Sequence, residues 1–205
     1  MTPDDNSPLA IGTWRPTLAA MDEPSDEGLM LAYRAGDAAA FETLYRRHRS
    51  RLYRHLVHQC GDARLAEDLY QDVWARVIAA RTGYEPLAKF STWLFRIAHN
   101  RLLDHYRQHA RGVASRYDAD ADPDALPARE DSNPARQAER HSLARRLSSA
   151  LEELPEPQRE AFLLAEEGEL SLEEIAAATQ VGRETAKSRL RYAVARLRIA
   201  LEDLL

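Results

Sequence analysis

The chain has 205 residues, a formal net charge of −5 and 44% hydrophobic residues, with eight glycines and one cysteine. These values are typical of one or two small helix-rich domains, and no alternating β-branched run predicts a strand. No apolar stretch approaches the roughly 18 residues of a membrane span, and the acidic N-terminus is unlike a secretory signal. Together with a single cysteine, which excludes an internal disulfide, these features predict a cytoplasmic protein.

The first 25 residues contain four prolines and mixed charge without a helical period. This composition predicts a disordered N-terminal extension over 1–25. Met21 is a second candidate start, because helical patterning begins just after it.

A first helical domain is predicted over 26–110, with four helices separated by glycines and acidic capping residues. The third of these helices has an apolar half that should face inward. The predicted inward residues of that third helix are Leu65, Leu69, Tyr70, Val73, Trp74 and Val77. The predicted limits are an end at Gly36, a cap at Asp37, an end at Gly61, a cap at Asp62, an end near Gly83 and a start at Ser91 or Thr92.

Residues 111–135 differ from both flanks, because they carry three prolines, an acidic run and almost no large aliphatic side chains. This stretch predicts a flexible linker. A second helical domain is predicted over 136–205, with a new helix after Pro155 and Pro157 and a helix end at Gly168. The sequence therefore predicts an all-α chain of two small helical domains joined by a flexible linker.

The second domain ends with a short helix, a turn and a longer helix, which is the plan of a helix-turn-helix. Ser171 and Glu174 form a capping box for the short helix, "TQVG" forms the turn, and Gly182 precedes the long helix. One face of the long helix is apolar and should face the core. Its predicted inward residues are Ala186, Leu190, Ala193, Val194, Leu197 and Leu201.

Two basic segments lie within this acidic chain. Residues 89–111 carry five cations against one acid, and residues 183–198 carry six cations against one acid. A solvated basic face would explain either segment alone, but two such segments, each ending a helical block, favour a phosphate-bearing partner. In the last helix, short polar side chains lie between cationic edges, a pattern that suits the major groove. The predicted DNA contacts there are Arg183, Glu184, Thr185, Lys187, Ser188, Arg189, Arg191, Tyr192 and Arg196.

The stretch from "LSSALEELPEPQREAFLL" through "KSRLRYAVARLR" resembles region 4 of bacterial sigma-70 RNA polymerase sigma factors, most closely the extracytoplasmic-function (ECF) subfamily. The resemblance implies recognition of the minus-35 promoter element by this domain. The pair Arg183 and Glu184 departs from that subfamily, which often has Val-Gly there, and is similar to primary sigma factors, where such a pair contacts DNA.

The first domain resembles region 2 of the same family through "AFETLYRRHRSRLYRHL", "AEDLYQDVWARV" and "FSTWLFRIAHNRLLDHYR". The resemblance implies binding to core RNA polymerase, capture of a base from the minus-10 element, and DNA melting. The implied polymerase contacts are Asp68, Gln71, Asp72 and Arg76, although a solvated face explains the two aspartates equally well. The implied minus-10 contacts are Tyr84, Lys89, Phe90, Asn100, Arg101, Asp104 and Arg107. Trp93 and Phe95 are interpreted as core rather than as base platforms.

The predicted function is thus a sigma factor that directs promoter-specific initiation, with the β and β′ polymerase subunits and promoter DNA as partners. An anti-sigma factor is common in this family and is a possible further partner. One alternative is a freestanding helix-turn-helix regulator, and another is an adaptor whose basic helices bind an acidic protein. His55, His58 and Cys60 lie close together in sequence, but they lack a standard metal-site spacing. We expect no cofactor, no metal and no enzymatic activity.

Overall fold

The computed structural model describes residues 24–111 and 134–202. Within these ranges there are eight α-helices, one 3-10 turn at Arg81–Gly83 and no strand, so the all-α prediction is confirmed. The bounds are α1 Asp26–Arg34, α2 Ala38–Cys60, α3 Ala63–Ala79, α4 Phe90–Arg111, α5 Pro134–Glu152, α6 Glu156–Glu166, α7 Leu172–Thr179 and α8 Arg183–Ala200. Residues 1–23, which include Met21, residues 112–133 of the predicted linker, and residues 203–205 lie outside the described part.

The caps of the second and third helices are those that the sequence predicts. The Asp37 carboxylate accepts hydrogen bonds from the backbone N–H groups of residues 39 and 40, at 2.9 and 3.3 Å. The Asp62 carboxylate accepts from those of residues 64 and 65, at 2.8 and 3.2 Å. Gly61 ends α2 with a φ of 68°, a left-handed conformation that glycine adopts without strain. Each aspartate cap stabilises its helix by about 1 kcal/mol.

Other boundaries differ from the predictions for reasons of tertiary structure. The third helix ends at Ala79 rather than near Gly83, and the 3-10 turn takes up the remaining residues. The fourth helix begins at Phe90 rather than at Ser91 or Thr92, because the Phe90 N–H donates to the Glu27 carboxylate of α1, at 2.7 Å. The fifth helix begins at Pro134, two residues before the predicted start, in keeping with the preference of proline for the first helical position.

The core of the first domain lies between α2, α3 and α4, with α1 packed on α2. The predicted inward face of α3 is largely correct, because Leu69, Val73, Trp74 and Val77 are buried and the other two residues are partly buried. Burying one large apolar side chain contributes roughly 1.5–3 kcal/mol. The largest fully buried apolar side chains here are Met30, Leu44, Leu52, Leu56, Leu69, Phe90, Leu94 and Phe95.

In the second domain α6 packs on α8, and α7 crosses both. A small core of buried residues joins α5, α6 and α8. It consists of Ala150, Leu151, Leu154, Leu163, Ala193 and Leu197. The two domains are also in contact, because α4 packs against α7, and α2 packs against α5 and α6.

One histidine in the core of the first domain makes the stability of the chain depend on pH. His55 is fully buried, and neither ring nitrogen has a hydrogen-bond partner within the described part of the chain. Burial, followed by the nearby His58 and His99, lowers its pKa to about 3. The folded pKa lies below the unfolded value of about 6.5, so the unfolded chain takes up a proton that the folded chain does not. This contribution to stability is present above about pH 6.5 and is lost as the pH falls towards about 3.

We expect His55→Leu to flatten the acid side of the stability profile. The free energy of unfolding, measured with urea, should fall between about pH 7.5 and about pH 5.5. This fall should be larger by roughly 1.4 kcal/mol in the unsubstituted chain than in His55→Leu, which is the value of one pH unit for one proton. Measurement at the higher pH is the internal control, because the imidazole is neutral there in both states. An equal fall in the free energy of unfolding of the two proteins would contradict the lowered pKa of His55.

Candidate nucleic-acid interface

The helix-turn-helix is built by the local signals that the sequence contains. The Ser171 side chain accepts from the Glu174 N–H at 3.3 Å, and the Glu174 carboxylate accepts from the Ser171 N–H at 2.8 Å. Gln180 ends α7 in a left-handed conformation with a φ of 56°, and Gly182 precedes α8 in an extended one. Ala176 and Ala186 are buried where α7 and α8 approach each other, as a close helix crossing requires.

The α8 helix presents its polar side to solvent. Of the nine predicted contacts, Ser188 and Arg189 are partly buried at the edge and the other seven are exposed. On the inner side, Ala186, Ala193 and Leu197 are buried, and Leu190 and Leu201 are partly buried. The prediction for Val194 is wrong, because its side chain is 39% exposed. The buried face of α8 is narrower than predicted, because only residues 186, 193 and 197 are buried on it.

Charges on α8 form a chain around Glu184. Its carboxylate lies 3.2 Å from an Arg183 nitrogen and 3.8 Å from Lys187 Nζ. Arg183 also binds Glu173 of α7 at 2.5 Å, and this hydrogen bond lowers the pKa of the Glu173 carboxyl. Near the middle of the helix the Arg191 guanidinium lies over the Tyr192 ring, 5.0 Å from its centroid. Glu184 is therefore an exposed acceptor between two cations on the outer face of the helix.

In the first domain a cavity of about 490 Å³ lies between the end of α3, the following loop and the start of α4. Trp93 and Arg96 of α4 line it, with Thr82 and Leu87 from the loop. Tyr84 and Thr92 also belong to the lining residues, but their hydroxyl oxygens are buried and have no hydrogen-bond partner among residues 24–111 and 134–202. The cavity thus combines the Trp93 ring with the exposed polar side chains of Thr82 and Arg96.

Two of the aromatic residues around this cavity are buried. Tyr84 and Phe90 were predicted contacts for an unstacked base, but they are only 2% and 0% exposed. Their rings pack on each other and on Trp93, with centroids 5.0–6.4 Å apart. Buried rings cannot stack on a base in this arrangement. Trp93, which is predicted to be a core residue, is only partly buried and lies on the cavity wall beside Tyr84.

The predicted polymerase contacts and the predicted minus-10 contacts meet in two cross-helix ion pairs. Arg101 of α4 binds Asp72 of α3 at 2.6 Å, and Arg76 of α3 lies 3.8 Å from Asp104 of α4. Asp68 and Gln71 are exposed on α3, and the Gln71 amide donates to the Glu67 carboxylate at 2.9 Å. Arg107 is exposed one turn and a half beyond Arg101. The two sets, which the sequence predicts as separate surfaces, are therefore joined in the structure.

Two predicted minus-10 residues contact the second domain. Lys89 Nζ lies 3.0 Å from the Glu174 carboxylate, and the Gln180 amide donates to Asn100 Oδ1 at 3.3 Å. Ala177 of α7 also belongs to the lining of the cavity. The second domain therefore lies directly beside the candidate minus-10 surface.

Other chemistry has little support in the described residues. Residues 24–111 and 134–202 contain no group of three or more His, Cys, Asp or Glu side chains that could hold a metal ion. Burial, with the nearby Asp62, raises the pKa of the Cys60 thiol to about 12. In the same part of the chain, every helix is too short or too polar to cross a membrane.

Comparison with known proteins finds the family "Sigma-70 region 2" at residues 44–112 and "Sigma-70, region 4" at residues 144–197. The RNA polymerase sigma factor CarQ of Myxococcus xanthus is 35% identical over 177 residues, which are 85% of this chain and 97% of that protein. The ECF RNA polymerase sigma factor RpoE of Cereibacter sphaeroides is 34% identical over 166 residues, which are 79% of this chain and 86% of that protein.

Two solved structures are similar over most of the chain. One is CnrH in complex with the cytosolic domain of CnrY, with a TM-score of 0.63 and 25% identity, covering 87% of this chain and 97% of CnrH. The other is the sigma factor RpoE of Bartonella quintana in complex with the anti-sigma factor NepR. It has a TM-score of 0.63 and 26% identity, and covers 79% of this chain and 96% of that one.

Proposed function

Because the chain belongs to the ECF RNA polymerase sigma factors of the sigma-70 family, which bind core polymerase and direct promoter-specific initiation, we propose a division of that work between its two domains. The first domain, residues 26–110, binds core polymerase and the minus-10 element. The second, residues 136–205, binds the minus-35 element. Residues 111–135 connect the two readers.

The α8 helix carries the minus-35 part of the proposal. Its outer side has an acceptor, a hydroxyl and flanking cations, and base edges in the major groove require such short polar groups. The cations at the edges, among them Lys187 and Arg191, are placed to meet phosphates on either side of the groove. The support is the exposure of seven of the nine predicted residues on one helix that follows a capped, closely crossed α7.

The cavity beside Trp93 carries the minus-10 part of the proposal. A base extruded from the duplex loses stacking and pairing worth a few kcal/mol, which pocket contacts must offset. The indole of Trp93 offers a stacking surface, and the exposed side chains of Thr82 and Arg96 offer hydrogen bonds. Lys89, Asn100, Arg101 and Arg107 provide a polar and cationic path along α4 for the opened strand.

The polymerase part of the proposal rests on α3. Asp68 and Gln71 are exposed, and Asp72 is half-exposed while it holds Arg101. We place the β′ subunit against this acidic face, with Arg76 at its edge. The ion pair between Asp72 and Arg101 then links the polymerase surface to the DNA surface.

Sigma factors are non-enzymatic initiation factors. We propose that this chain has no catalytic activity of its own and that it acts in the cytoplasm, with the polymerase. The related RpoE is solved with the anti-sigma factor NepR. By analogy, an anti-sigma factor is a proposed partner of this chain.

Run-off transcription with purified core polymerase and a library of candidate promoters tests this division. We expect transcripts only when both proteins are present, from templates that share two sequence blocks more than about one helical turn (34–36 Å) apart. Core polymerase alone is the control. Selection of a single block or of a palindrome would contradict the division between two domains, and a palindrome would instead indicate a symmetric regulator.

A further inference from the structure

The loop that forms one wall of the cavity is held at both ends by the first helix, α1. We call residues 84–90, from the end of the 3-10 turn to the start of α4, the cavity loop. At its first residue, Arg34 Nη1 donates to the Tyr84 carbonyl oxygen at 2.9 Å. At its last residue, the Phe90 N–H donates to the Glu27 carboxylate at 2.7 Å. Two side chains of one helix therefore fix the two ends of one loop.

The spacing of these two side chains along α1 suits that role. Glu27 and Arg34 are seven residues apart, which places them on the same side of the helix about two turns from each other. At about 1.5 Å per residue, their backbones lie roughly 10 Å apart. A third contact joins α1 to the 3-10 turn, because the Arg81 guanidinium lies over the Tyr33 ring, 5.1 Å from its centroid. A rigid helix thus sets the separation of the loop ends.

The start of α4 depends on Glu27 because it has no cap of its own. The Trp93 N–H donates to the Lys89 carbonyl oxygen at 3.1 Å, which places Lys89 at the N-cap position. A lysine side chain has donors but no acceptor, so it cannot cap a helix. The Glu27 carboxylate takes this place from another helix, and the helix dipole favours its negative charge there.

The α1 helix is itself anchored to the core of the first domain. Asp26 Oδ1 accepts from Arg47 of α2 at 2.7 Å, and Asp26 Oδ2 lies 2.6 Å from His48 Nε2. The hydrogen bond with His48 lowers the pKa of the Asp26 carboxyl. Leu29 and Met30 are buried in the core below. The support of the cavity loop therefore does not move freely with the loop.

The middle of the cavity loop has weaker support than its ends. Residues 85–89 are exposed, and Leu87, which lines the cavity, is 87% exposed. Lys89 lies 3.0 Å from Glu174 of the second domain, but exposed ion pairs contribute little to stability. The position of the loop against Trp93 thus follows from its two ends.

We propose that Glu27 and Arg34 are positioning residues for recognition of the minus-10 element. They set the place of the cavity loop, and with it the width of the cavity beside Trp93, without contacting DNA. This role rests on the base site of the proposed function, whereas the bracing of the loop by α1 does not.

Alanine and conservative substitutions at the two positions test the proposal. Glu27→Ala and Arg34→Ala each release one end of the cavity loop, whereas Glu27→Gln keeps an acceptor and Arg34→Lys keeps a charged donor. Glu42→Ala and Arg49→Ala are the matched controls, because they remove the same charges from exposed positions on α2. Arg34 is exposed, so its variant serves if loss of the α4 cap unfolds the domain.

Two measurements are made on these variants. The first is hydrogen exchange of the backbone amides of residues 84–90 in the full chain, followed by mass spectrometry. The second is the affinity of the holoenzyme for single-stranded oligonucleotides, which carry either the minus-10 sequence selected from the promoter library or that sequence with one base changed. A duplex with only the minus-35 sequence is the third probe.

We expect each alanine variant to exchange the loop amides roughly tenfold faster and to bind the selected oligonucleotide roughly tenfold more weakly, because a hydrogen bond with a charged partner contributes at least that factor. Binding to the base-changed oligonucleotides and to the duplex should stay the same, because α4 and α8 hold them without the base site. Glu27→Gln, Arg34→Lys and the two controls should keep the preference for the selected sequence.

Unchanged exchange in both alanine variants would overturn the bracing of the loop. Faster exchange with an intact preference for the selected sequence would overturn the positioning role, and so would equal losses on all three DNA probes, which indicate a general loss of stability. If the unsubstituted holoenzyme shows no preference among the oligonucleotides, the proposed base site fails and the positioning role fails with it, while the exchange measurement still decides the bracing.

Discussion

Replacing both Lys187 and Arg191 with alanine is expected to weaken binding of the holoenzyme to a promoter by roughly 10- to 100-fold at about 0.1 M salt. Each phosphate contact releases close to one counterion, so losing two should also make the plot of log affinity against log salt less steep by about two. Both side chains are exposed on the outer side of α8. The loss should be similar for all promoter variants, because phosphates carry no sequence information.

Fluorescence anisotropy over a salt series measures this effect. Arg145→Ala is the matched control, since Arg145 is an exposed cation of the same domain that lies on α5 rather than on α8. If the plot of log affinity against log salt remains as steep in the double variant, the assignment of Lys187 and Arg191 to phosphate contacts is refuted. A loss confined to particular bases would instead assign these two side chains to base readout.

Replacing Glu184 with alanine should change which promoter sequences are preferred. A glutamate that reads a base edge accepts a hydrogen bond, and cytosine presents an amino donor in the major groove. We expect a loss of roughly 1–3 kcal/mol on the preferred minus-35 sequence and little loss on a sequence changed at the contacted base pair. Glu184 suits this role because its side chain is 77% exposed between Arg183 and Lys187, which can direct it towards the groove.

Competition binding with minus-35 sequences that differ at one base pair checks this prediction. Glu166→Ala removes the same charge from an exposed position outside α8 and should leave the preferences unchanged. Equal changes across all the sequences would show that Glu184 acts only on its neighbouring cations.

The elements that the sequence predicts well are those set by local chemistry. The caps at Asp37 and Asp62, the capping box at Ser171 and the inner side of α3 each depend on residues a few positions apart. The start of α4 was predicted one or two residues late, because its cap is Glu27 of another helix. Val194 was placed inside because a helical wheel does not give the width of the contact with α6.

The sequence predicts which residues belong to the candidate site, but not which of them lie in contact with each other. Exposure of the polar side of α8 follows from its period, whereas the ion pair between Asp72 and Arg101 depends on how α3 and α4 cross. Burial of Phe90 and the position of Trp93 on the cavity wall likewise depend on the loop after α3. Contacts between the two domains join residues about 60–120 positions apart, such as Arg51 and Glu169, and no local pattern indicates them.

Two exposed ion pairs between the domains, Arg51 with Glu169 and Lys89 with Glu174, make the chain sensitive to ionic strength. Salt weakens attraction between exposed charges, and it weakens binding of cationic helices to DNA for the same reason. In this chain those two effects oppose each other at Lys89, because the cation that we propose for the minus-10 surface is paired with Glu174 of the second domain. Promoter association should therefore pass through an optimum at intermediate salt in the intact chain, and the polyanion itself competes with the carboxylates for the same cations.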